Sequence, residues 1–373
     1  MEKKVLIMLS NNSVNDPFLY SQLLDIYEND EIFNEKIIFC GDTNLKILRN
    51  SIIRDNGNGR NILVRYLIFY INLIKVLYSN RSNNVIIHIR GFISGILFFL
   101  IPKIGFTNLK YIYDPRGAVV YGMLEKSRKI QKFKKPLRYI DKELIRNSIF
   151  TIVESIKLKK QKIDLYGNKE KYLVCYNSSS FMSSKSTINI SKVDSINICY
   201  CGSVNLWHDL TEIHRVFMHL SKVLKKKQVS FFFFTQKRNH NLVSQKFSRE
   251  LSENKIKIAF IPYNLLEKEI NKMHICISVV KPTRSTVVTS PIKISDYILK
   301  NKIFIQNRGI GDFDEFFENN KSAILYDFGE VLNFGLSDLE DVNCLKNKEI
   351  ESNLLIETNR KKINNNILKF INE

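Results

Sequence analysis

The stretch SPIKISDYILKNKIFIQN, at residues 290–307, predicts how the second half of the chain folds. Pro291 suits the start of a helix, because its missing backbone N–H has no partner in a first helical turn. The helical segment carries an acid, Asp296, and runs directly into 303–306, which is mostly apolar and typical of a buried strand. A helix that leads into a buried strand is a building unit of parallel sheets.

The same alternation runs along the whole chain, where short β-rich runs end in Gly, Asp, Asn or Ser and give way to helical segments. The predicted strands are 4–9, 36–40, 85–89, 110–113, 150–153 and 172–175 in the first half, and 197–200, 229–234, 256–261, 275–279, 303–306 and 323–326 in the second. The sequence therefore predicts an α/β protein with two Rossmann-like, doubly wound parallel sheets.

The length of 373 residues exceeds what one hydrophobic core usually supports, so two domains are expected. The Ser-rich stretch 177–195 has little apolar periodicity and is interpreted as the linker. We therefore expect an N-terminal domain at 1–176, a C-terminal domain at 196–348 and a polar helix at 349–373 that crosses back to the first domain.

The formal net charge of +20 indicates an anionic partner, such as nucleic acid, a phosphate-bearing substrate or an acidic lipid. The chain is also rich in Lys, Asn and Ile, so biased codon usage is an equally good explanation. No recognisable nucleic-acid reader module is present, and no nucleic-acid partner is expected.

Cysteine usage and hydropathy bear on the compartment. The six cysteines include no C-x-x-C pair, which predicts reduced, buried thiols and a cytoplasmic protein without a zinc or redox motif. The apolar run 5–9 is too short for a signal peptide. Neither 62–78 nor 92–101 offers the roughly 20 clean residues of a membrane span, so the protein lies at most on a membrane surface.

Ligands of parallel α/β domains bind beyond the carboxyl ends of the strands. In the second domain, a Gly-led loop follows the first strand and would let the backbone approach a ligand closely. Tyr263 follows another strand and would stack on a nucleobase, although ordinary packing is an equal alternative. The candidate ligand-binding residues are Gly202, Ser203, His208, Pro262, Tyr263, Lys281, Arg284, Ser290, Lys293 and Asp296.

These motifs resemble those of GT-B glycosyltransferases that build bacterial surface polysaccharides. That family carries a pattern close to Pro-x-Lys-x-x-Glu-Tyr, and here Pro291, Lys293, Asp296 and Tyr297 occupy its positions. The resemblance implies two Rossmann-like domains that face a central cleft, a nucleotide-sugar donor in the second domain, and retention of anomeric configuration. It implies no metal or other cofactor.

The chain departs from the family pattern at several positions. Many relatives have Arg and Lys where this chain has Ser203 and His208. Either His208 replaces one cation, or the diphosphate is held elsewhere, or Trp207 and His208 only cap and pack the helix. Relatives often have two glutamates separated by seven residues. The second maps to Asp296, and the first falls on Val288. Asp312 and Asp314 form a D-x-D pair, which we interpret as a helix N-cap at Asp312 rather than as a metal site.

The resemblance places the acceptor in the first domain, around the loop YDPRG at 113–117. Asp114 would orient or deprotonate an acceptor hydroxyl, and Arg116 would bind an acceptor phosphate or pair with Asp114. Arg90 and Ser94 are the candidate acceptor-binding residues at the next strand end. The alternative is that this loop is only a stable turn with an internal ion pair.

The function expected from this resemblance is transfer of a sugar from a nucleotide-sugar donor to a growing bacterial surface glycan, such as capsule or O-antigen. The acceptor would be a glycan or lipid-linked glycan, used in the cytoplasm or on the inner face of the cell membrane. A basic run over 126–146 would attract an anionic membrane, or else is a solvated helix face. Two alternatives remain open: a GT-B-like transferase of another group, such as glycerol phosphate, and a nucleic-acid-binding protein without catalysis.

Overall fold

The computed structural model describes residues 4–10, 33–39, 51–54, 62–106, 108–184 and 188–372. The chain divides into two compact units. The first unit is formed by Met1–Tyr176 with Ile356–Glu373, and the second by Asn177–Leu355. The stretch at 177–195 thus lies within the second unit, where Ile190 is buried in the core.

The first unit contains a seven-stranded parallel sheet in the order β3-β2-β1-β4-β5-β6-β7. Its strands are β1 Lys4–Ser10, β2 Glu35–Phe39, β3 Ser51–Arg54, β4 Asn84–Arg90, β5 Asn108–Asp114, β6 Thr151–Val153 and β7 Tyr172–Val174. The strand order reverses between β1 and β4, which creates a switch point at their carboxyl ends. The edge strand β3 is absent from the sequence prediction.

Helices of this unit follow the strands. They are α1 Ile62–Ser79, α2 Phe92–Phe99, α3 Val119–Lys126, α4 Lys134–Asn147 and α5 Ile156–Tyr166, with 3-10 turns at Ile130–Phe133 and Lys169–Lys171. Tyr111 and Tyr113 of β5 show how one sheet face is covered. The Tyr111 ring packs edge-on against Phe98 of α2, and the Tyr113 hydroxyl donates to Asp141 Oδ1 of α4 at 3.0 Å.

The second unit contains a six-stranded parallel sheet in the order β10-β9-β8-β11-β12-β13. Its strands are β8 Ser195–Cys201, β9 Gln228–Phe234, β10 Ile256–Ala259, β11 Ile275–Ser278, β12 Ile303–Asn307 and β13 Ile324–Tyr326. The reversal here lies between β8 and β11. The prediction of two doubly wound parallel sheets is confirmed.

Eight helices, α6 to α13 in chain order, are described in the second unit. They are α6 Leu210–Val223, α7 His240–Lys246, α8 Ser248–Ser252, α9 Tyr263–Asn271, α10 Ile292–Leu299, α11 Asp314–Asn320, α12 Leu336–Asp341 and α13 Lys348–Glu351. Short 3-10 turns lie at Ile190–Lys192, Lys237–Asn239, Cys344–Asn347 and Ser352–Leu354. Apolar side chains of β8, β9, α6 and α7 share one buried cluster.

Helix α10 is the one predicted from residues 290–307. Pro291 is its N-cap, and residues 293–299 are buried. Asn301 takes the left-handed conformation after the helix, with φ of 48°, and the Lys302 N–H donates to the Tyr297 carbonyl at 2.9 Å. This ending is typical of a helix C-terminus and turns the chain directly into β12.

The final helix, α14 Ile356–Asn372, belongs to the first unit. Its Ile363 and Ile367 lie in a buried cluster with Ile86, Ile112 and other side chains of the sheet. The Lys110 ammonium also donates to the Phe370 carbonyl at 3.0 Å. Helix α14 therefore packs on the sheet of the first unit and forms part of its hydrophobic core.

Candidate functional site

The switch point of the second unit brings together the loops that follow β8 and β11. The Lys281 N–H donates to the Trp207 carbonyl at 2.7 Å, which joins the two loops. Asn307, at the end of β12, exchanges two hydrogen bonds of 2.9 Å with the backbone of Val280. The loops after β8 and β11 are therefore held in place by hydrogen bonds to their backbone groups.

Gly202 is required by its surroundings. Its φ of 152° is rare for residues with a side chain, and its N–H donates to the Phe234 carbonyl at 2.9 Å. An added Cβ would lie 3.0 Å from Lys293 Nζ and 3.2 Å from the Tyr200 hydroxyl. Glycine thus leaves the room that the Lys293 ammonium occupies under this loop.

Lys293 is a buried cation. Its Nζ lies 3.4 Å from the Tyr200 hydroxyl and 4.4 Å from the centroid of the Tyr200 ring. Burial lowers the pKa of Lys293 to about 8, although nearby thiols and Asp296 act in the opposite direction. Among the described residues, no carboxylate lies within ion-pair distance of this ammonium. The positive charge is therefore available to an anionic ligand.

Asp296 lies one turn further along α10 and is also buried. Burial raises the pKa of its carboxyl to about 7, while a hydrogen bond from Ser179 and the charge of Lys293 lower it. In the described part of the chain, its Oδ1 has no hydrogen-bond partner. A buried acceptor without a donor is costly, and a ligand hydroxyl would satisfy it.

His208 contributes hydrogen bonding but no charge. Its Nδ1 lies 3.2 Å from Asn205 Oδ1 and 3.4 Å from Ser203 Oγ. Burial, and then the charge of Lys293, lower the pKa of His208 to about 3. The imidazole is therefore neutral at physiological pH, and the expectation that it replaces a cation is wrong.

The remaining predicted residues of this unit have different surroundings. Ser290 is buried, and its hydroxyl and carbonyl accept hydrogen bonds from Asn177 at 3.2 and 2.6 Å. Pro262 is the N-cap of α9. Tyr263, the first residue of that helix, stacks on Phe181 with 5.8 Å between ring centroids. One face of this ring is thus covered by protein. Lys281 and Arg284 are exposed on the loop before α10.

The D-x-D pair has a structural role that differs from the prediction. Helix α11 begins at Asp314 and follows Phe313, so Asp312 is not its N-cap. Instead, the Asp314 carboxylate accepts a hydrogen bond from the Gly309 N–H at 2.6 Å and another from Gln306 at 3.3 Å. The Asp314 side chain reaches back from the first turn of α11, and these two hydrogen bonds hold the loop that contains Gly309 in place.

The first unit has a second polar cluster at the ends of β4 and β5. Arg90 Nη1 lies 3.3 Å from Asp114 Oδ2, and His88 Nε2 lies 3.8 Å from the same oxygen. The Arg116 N–H donates to Asp114 Oδ1 at 3.3 Å, with Arg116 in the left-handed region at φ of 59°. The structure thus brings Arg90, Asp114 and Arg116 together, and His88 beside them is buried.

The ionisation of Asp114 follows from these contacts. Burial alone would raise its pKa, but a hydrogen bond with His88 and the charges of Arg90 and Arg116 bring it down to about 2. Asp114 is therefore a buried carboxylate that is ionised at all physiological pH values. Such a weak base is poorly suited to removing a proton.

Two polar residues of this unit depart from the sequence analysis, one that it predicted and one that it missed. Ser94 is fully buried in α2, so its side chain is not exposed for the predicted contact with an acceptor. Glu154, which the sequence analysis missed, follows β6 and would lie 3.0 Å from a Cβ at Gly117. The available signal was its place directly after the predicted strand 150–153, where ligand-binding residues of parallel sheets lie. In the second unit, Ser179 was missed because it lies in the predicted linker.

Within residues 4–10, 33–39, 51–54, 62–106, 108–184 and 188–372, no group of three or more His, Cys, Asp or Glu residues is arranged to hold a metal ion. No helix there combines the length and apolar character needed to cross a membrane.

Comparison with known proteins gives a clear result only at the level of structure. No protein-family model and no curated protein matches the sequence. The Anabaena protein HepE, solved with UDP and glucose, aligns with a TM-score of 0.69 at 12% identity over 98% of this chain and 100% of HepE. The lipopolysaccharide outer core galactosyltransferase WaaB aligns with a TM-score of 0.65 at 13% identity over 98% of this chain and 99% of WaaB.

A third structure is the sucrose-phosphate synthase of Thermosynechococcus elongatus. It aligns with a TM-score of 0.63 at 10% identity over 97% of this chain and 94% of that protein. These alignments extend over nearly the whole of each chain, although the sequence identities are only 10–13%. The chain therefore has the GT-B fold of glycosyltransferases, as the motif around Asp296 predicted.

Proposed function

We propose that this protein is a glycosyltransferase that uses a nucleotide sugar as its donor. The observation that carries the proposal is the pair of buried groups on α10, the Lys293 ammonium and the unsatisfied Oδ1 of Asp296, at the switch point of the second sheet. A diphosphate and a ribose or sugar hydroxyl have the chemistry that would satisfy both groups. Structures of the same fold solved with UDP, glucose and UDP-glucose support this class of ligand.

In this proposal, the Lys293 ammonium and the backbone around Gly202 hold the donor diphosphate. The bond between the sugar C1 and the phosphate oxygen breaks, and its electron pair leaves with the nucleoside diphosphate. An acceptor hydroxyl forms the new bond to C1 and gives its proton to the departing phosphate oxygen. Cations placed beside the leaving group stabilise its growing negative charge. Lys281 and Arg284 are exposed on the adjoining loop and would add to that charge.

The proposed acceptor residues lie in the first unit. Since the pKa of Asp114 is low, we propose that this carboxylate orients the backbone of Arg116, while the Arg116 guanidinium binds the acceptor. The acceptor would be a glycan or lipid-linked glycan of the bacterial surface, and the anomeric configuration would be retained. WaaB, a lipopolysaccharide galactosyltransferase of the same fold, supports this choice of acceptor class.

A thermal-shift screen tests the donor assignment. The protein is heated with UDP, GDP, CDP and their sugars, because a ligand that binds only the folded state raises the melting temperature. At a concentration about 100 times its Kd, a ligand adds about 2.7 kcal/mol of stability, which is a shift of several degrees. Lys293→Met should lose the shift, while the exposed Lys225→Met should keep it.

Other outcomes would contradict the proposal. If no nucleotide or nucleotide sugar raises the melting temperature, the donor site is misassigned. Release of CMP from CDP-glycerol would indicate transfer of glycerol phosphate. Salt-sensitive binding of DNA or RNA, together with no response to any nucleotide sugar, would favour a nucleic-acid-binding protein.

A further inference from the structure

The first unit exposes large apolar side chains on neighbouring elements. Phe133 and Tyr139, before and within α4, are 60% and 59% exposed, and Ile104, in the loop after α2, is 80% exposed. Single exposed apolar residues are ordinary, but a group of them on adjoining elements is unusual for a surface that meets only water.

Direct contacts join these elements into one surface. The Tyr139 ring packs edge-on against Phe99 of α2, with 6.5 Å between centroids, and Phe99 is followed by the exposed Leu100. On the other side, the Tyr70 hydroxyl of α1 donates to the Leu100 carbonyl at 3.0 Å. We call this the outer helix surface. Its exposed apolar residues are Leu67, Ile71, Leu100, Ile104, Phe133 and Tyr139.

Cations flank these apolar groups. On α4, Lys135 and Lys142 lie one turn before and one turn after Tyr139, so the three exposed side chains share one helix face. On α1, the exposed Lys75 continues the row begun by Leu67 and Ile71. The exposed cations of the outer helix surface are Lys75, Lys103, Lys132, Lys134, Lys135 and Lys142.

Few acidic groups offset this charge. No Asp or Glu occurs between residues 56 and 113. On α4, Asp141 is buried and paired with Lys162, and Glu143 is paired with Arg146. The outer helix surface is therefore strongly positive as well as partly apolar, which is the combination that binds at the interface of an anionic membrane.

We propose that the outer helix surface docks the protein on an anionic lipid bilayer, with Phe133, Tyr139 and Ile104 entering the headgroup region and the lysines contacting lipid phosphates. The Tyr139 ring suits this depth because its body is apolar and its hydroxyl can bond to water, and Phe133 and Ile104 add apolar surface. The proposal goes beyond the donor chemistry, because it uses none of the residues assigned to the nucleotide sugar.

Co-sedimentation with vesicles tests the proposal. The full chain is mixed with vesicles of phosphatidylcholine alone or with added phosphatidylglycerol, and the bound fraction is measured at low and high salt. We expect binding to the anionic vesicles. Each lysine near such a surface contributes a factor of about five, so the triple variant Lys132→Gln, Lys134→Gln, Lys135→Gln should bind at least ~10-fold less tightly.

A second variant separates insertion from charge attraction. Replacing Ile104 and Phe133 with Ser should abolish the fraction that stays bound at high salt, since salt screens the lysines but leaves apolar contacts intact. The matched controls lie in the second unit. Lys225→Gln with Lys226→Gln removes exposed charge, and Val331→Ser removes an exposed apolar side chain, without touching the outer helix surface.

Three results would overturn the proposal. The first is a failure to bind anionic vesicles. The second is an equal loss of binding in the control variants and in those of the outer helix surface. The third is a DNA or RNA fragment that binds more tightly than the vesicles and loses affinity in the lysine variant, which would identify nucleic acid as the partner.

Discussion

The ammonium nitrogen of Lys293 lies 4.4 Å from the centroid of the Tyr200 ring and 3.4 Å from the hydroxyl oxygen of that ring. Both side chains are buried. An aromatic ring attracts a cation but does not neutralise it, so the charge of Lys293 remains available for a second, anionic partner. This relationship gives the second unit a cation that is positioned before any ligand arrives.

Lys293→Met should stabilise the unliganded protein at pH 7 and abolish the thermal shift with the donor nucleotide. The pKa of Lys293 is about 8, below its ordinary value of 10.5, so the folded state disfavours the charged form. The resulting penalty is complete below pH 8 and disappears as pH rises to 10.5; it is at most ~3 kcal/mol. Urea unfolding of both proteins at pH 7 measures it. Marked destabilisation would indicate a purely structural lysine.

Asp296→Asn should remove a pH dependence of stability. The pKa of Asp296 is raised from 3.8 to about 7, so the wild-type protein loses stability as pH rises through this window, by roughly 4 kcal/mol at most. The variant cannot ionise at this position and should lack that loss. Urea unfolding at pH 5 and pH 8 compares the two proteins. Parallel pH profiles would show that the carboxyl is not perturbed.

The same carboxyl should control donor affinity. A ligand hydroxyl donates more strongly to an ionised carboxylate, so donor affinity of the wild-type protein should rise as pH increases through 7. The affinity of Asp296→Asn should be lower and should not show this rise. Calorimetric titration with the nucleotide found by thermal shift, at pH 5.5 and pH 7, measures both, because Lys293 stays mostly charged over this range. An affinity that is unchanged by the substitution would remove Asp296 from the site.

Gly202→Ala should weaken donor binding as well as lower stability. The new Cβ would lie 3.0 Å from Lys293 Nζ, a flexible chain end that can move, and the backbone φ of 152° adds strain. We expect a loss of about 1–2 kcal/mol in stability and at least tenfold in nucleotide affinity. Gly329→Ala, at a positive-φ glycine with open space around its Cβ, is the matched control and should keep full affinity.

Asp114→Asn should destabilise the protein by about 3–5 kcal/mol, because it leaves the buried Arg90 without a carboxylate. Arg90→Met should cost a similar amount. The double variant should lose clearly less stability than the sum of the two single losses. Both charges are then removed, so neither stays buried without its partner. Urea unfolding of the four proteins completes the cycle. Additive losses would show that the two groups do not interact.

The pKa of Asp114 also predicts acid sensitivity. It is lowered from 3.8 to about 2, so the ionised carboxylate contributes stability that is present above pH 3.8. This contribution is lost as pH falls from 3.8 to about 2. Comparing Asp114→Asn with the wild-type protein across this range should show their stabilities converging at low pH. A constant difference down to pH 2 would contradict this account.

The sequence located most of the fold because burial and periodicity are local signals. Strands such as Asn84–Arg90 and Ile275–Ser278 are nearly continuous apolar runs, which parallel sheets require when both faces are covered. The edge strand Ser51–Arg54 was missed because only two apolar residues lie between Ser51 and Arg54. An edge strand needs less burial and leaves a weaker pattern.

The amino-acid sequence by itself determined two doubly wound sheets, the helix from Ile292 to Leu299 and the acidic and basic groups that it carries. Tertiary structure alone decided their chemical states. Lys293 meets a ring 93 residues away, and Asp296 is paired with Ser179 from a stretch that reads as linker. Burial and distant neighbours set a pKa, and neither can be read from the residues beside a titrating group.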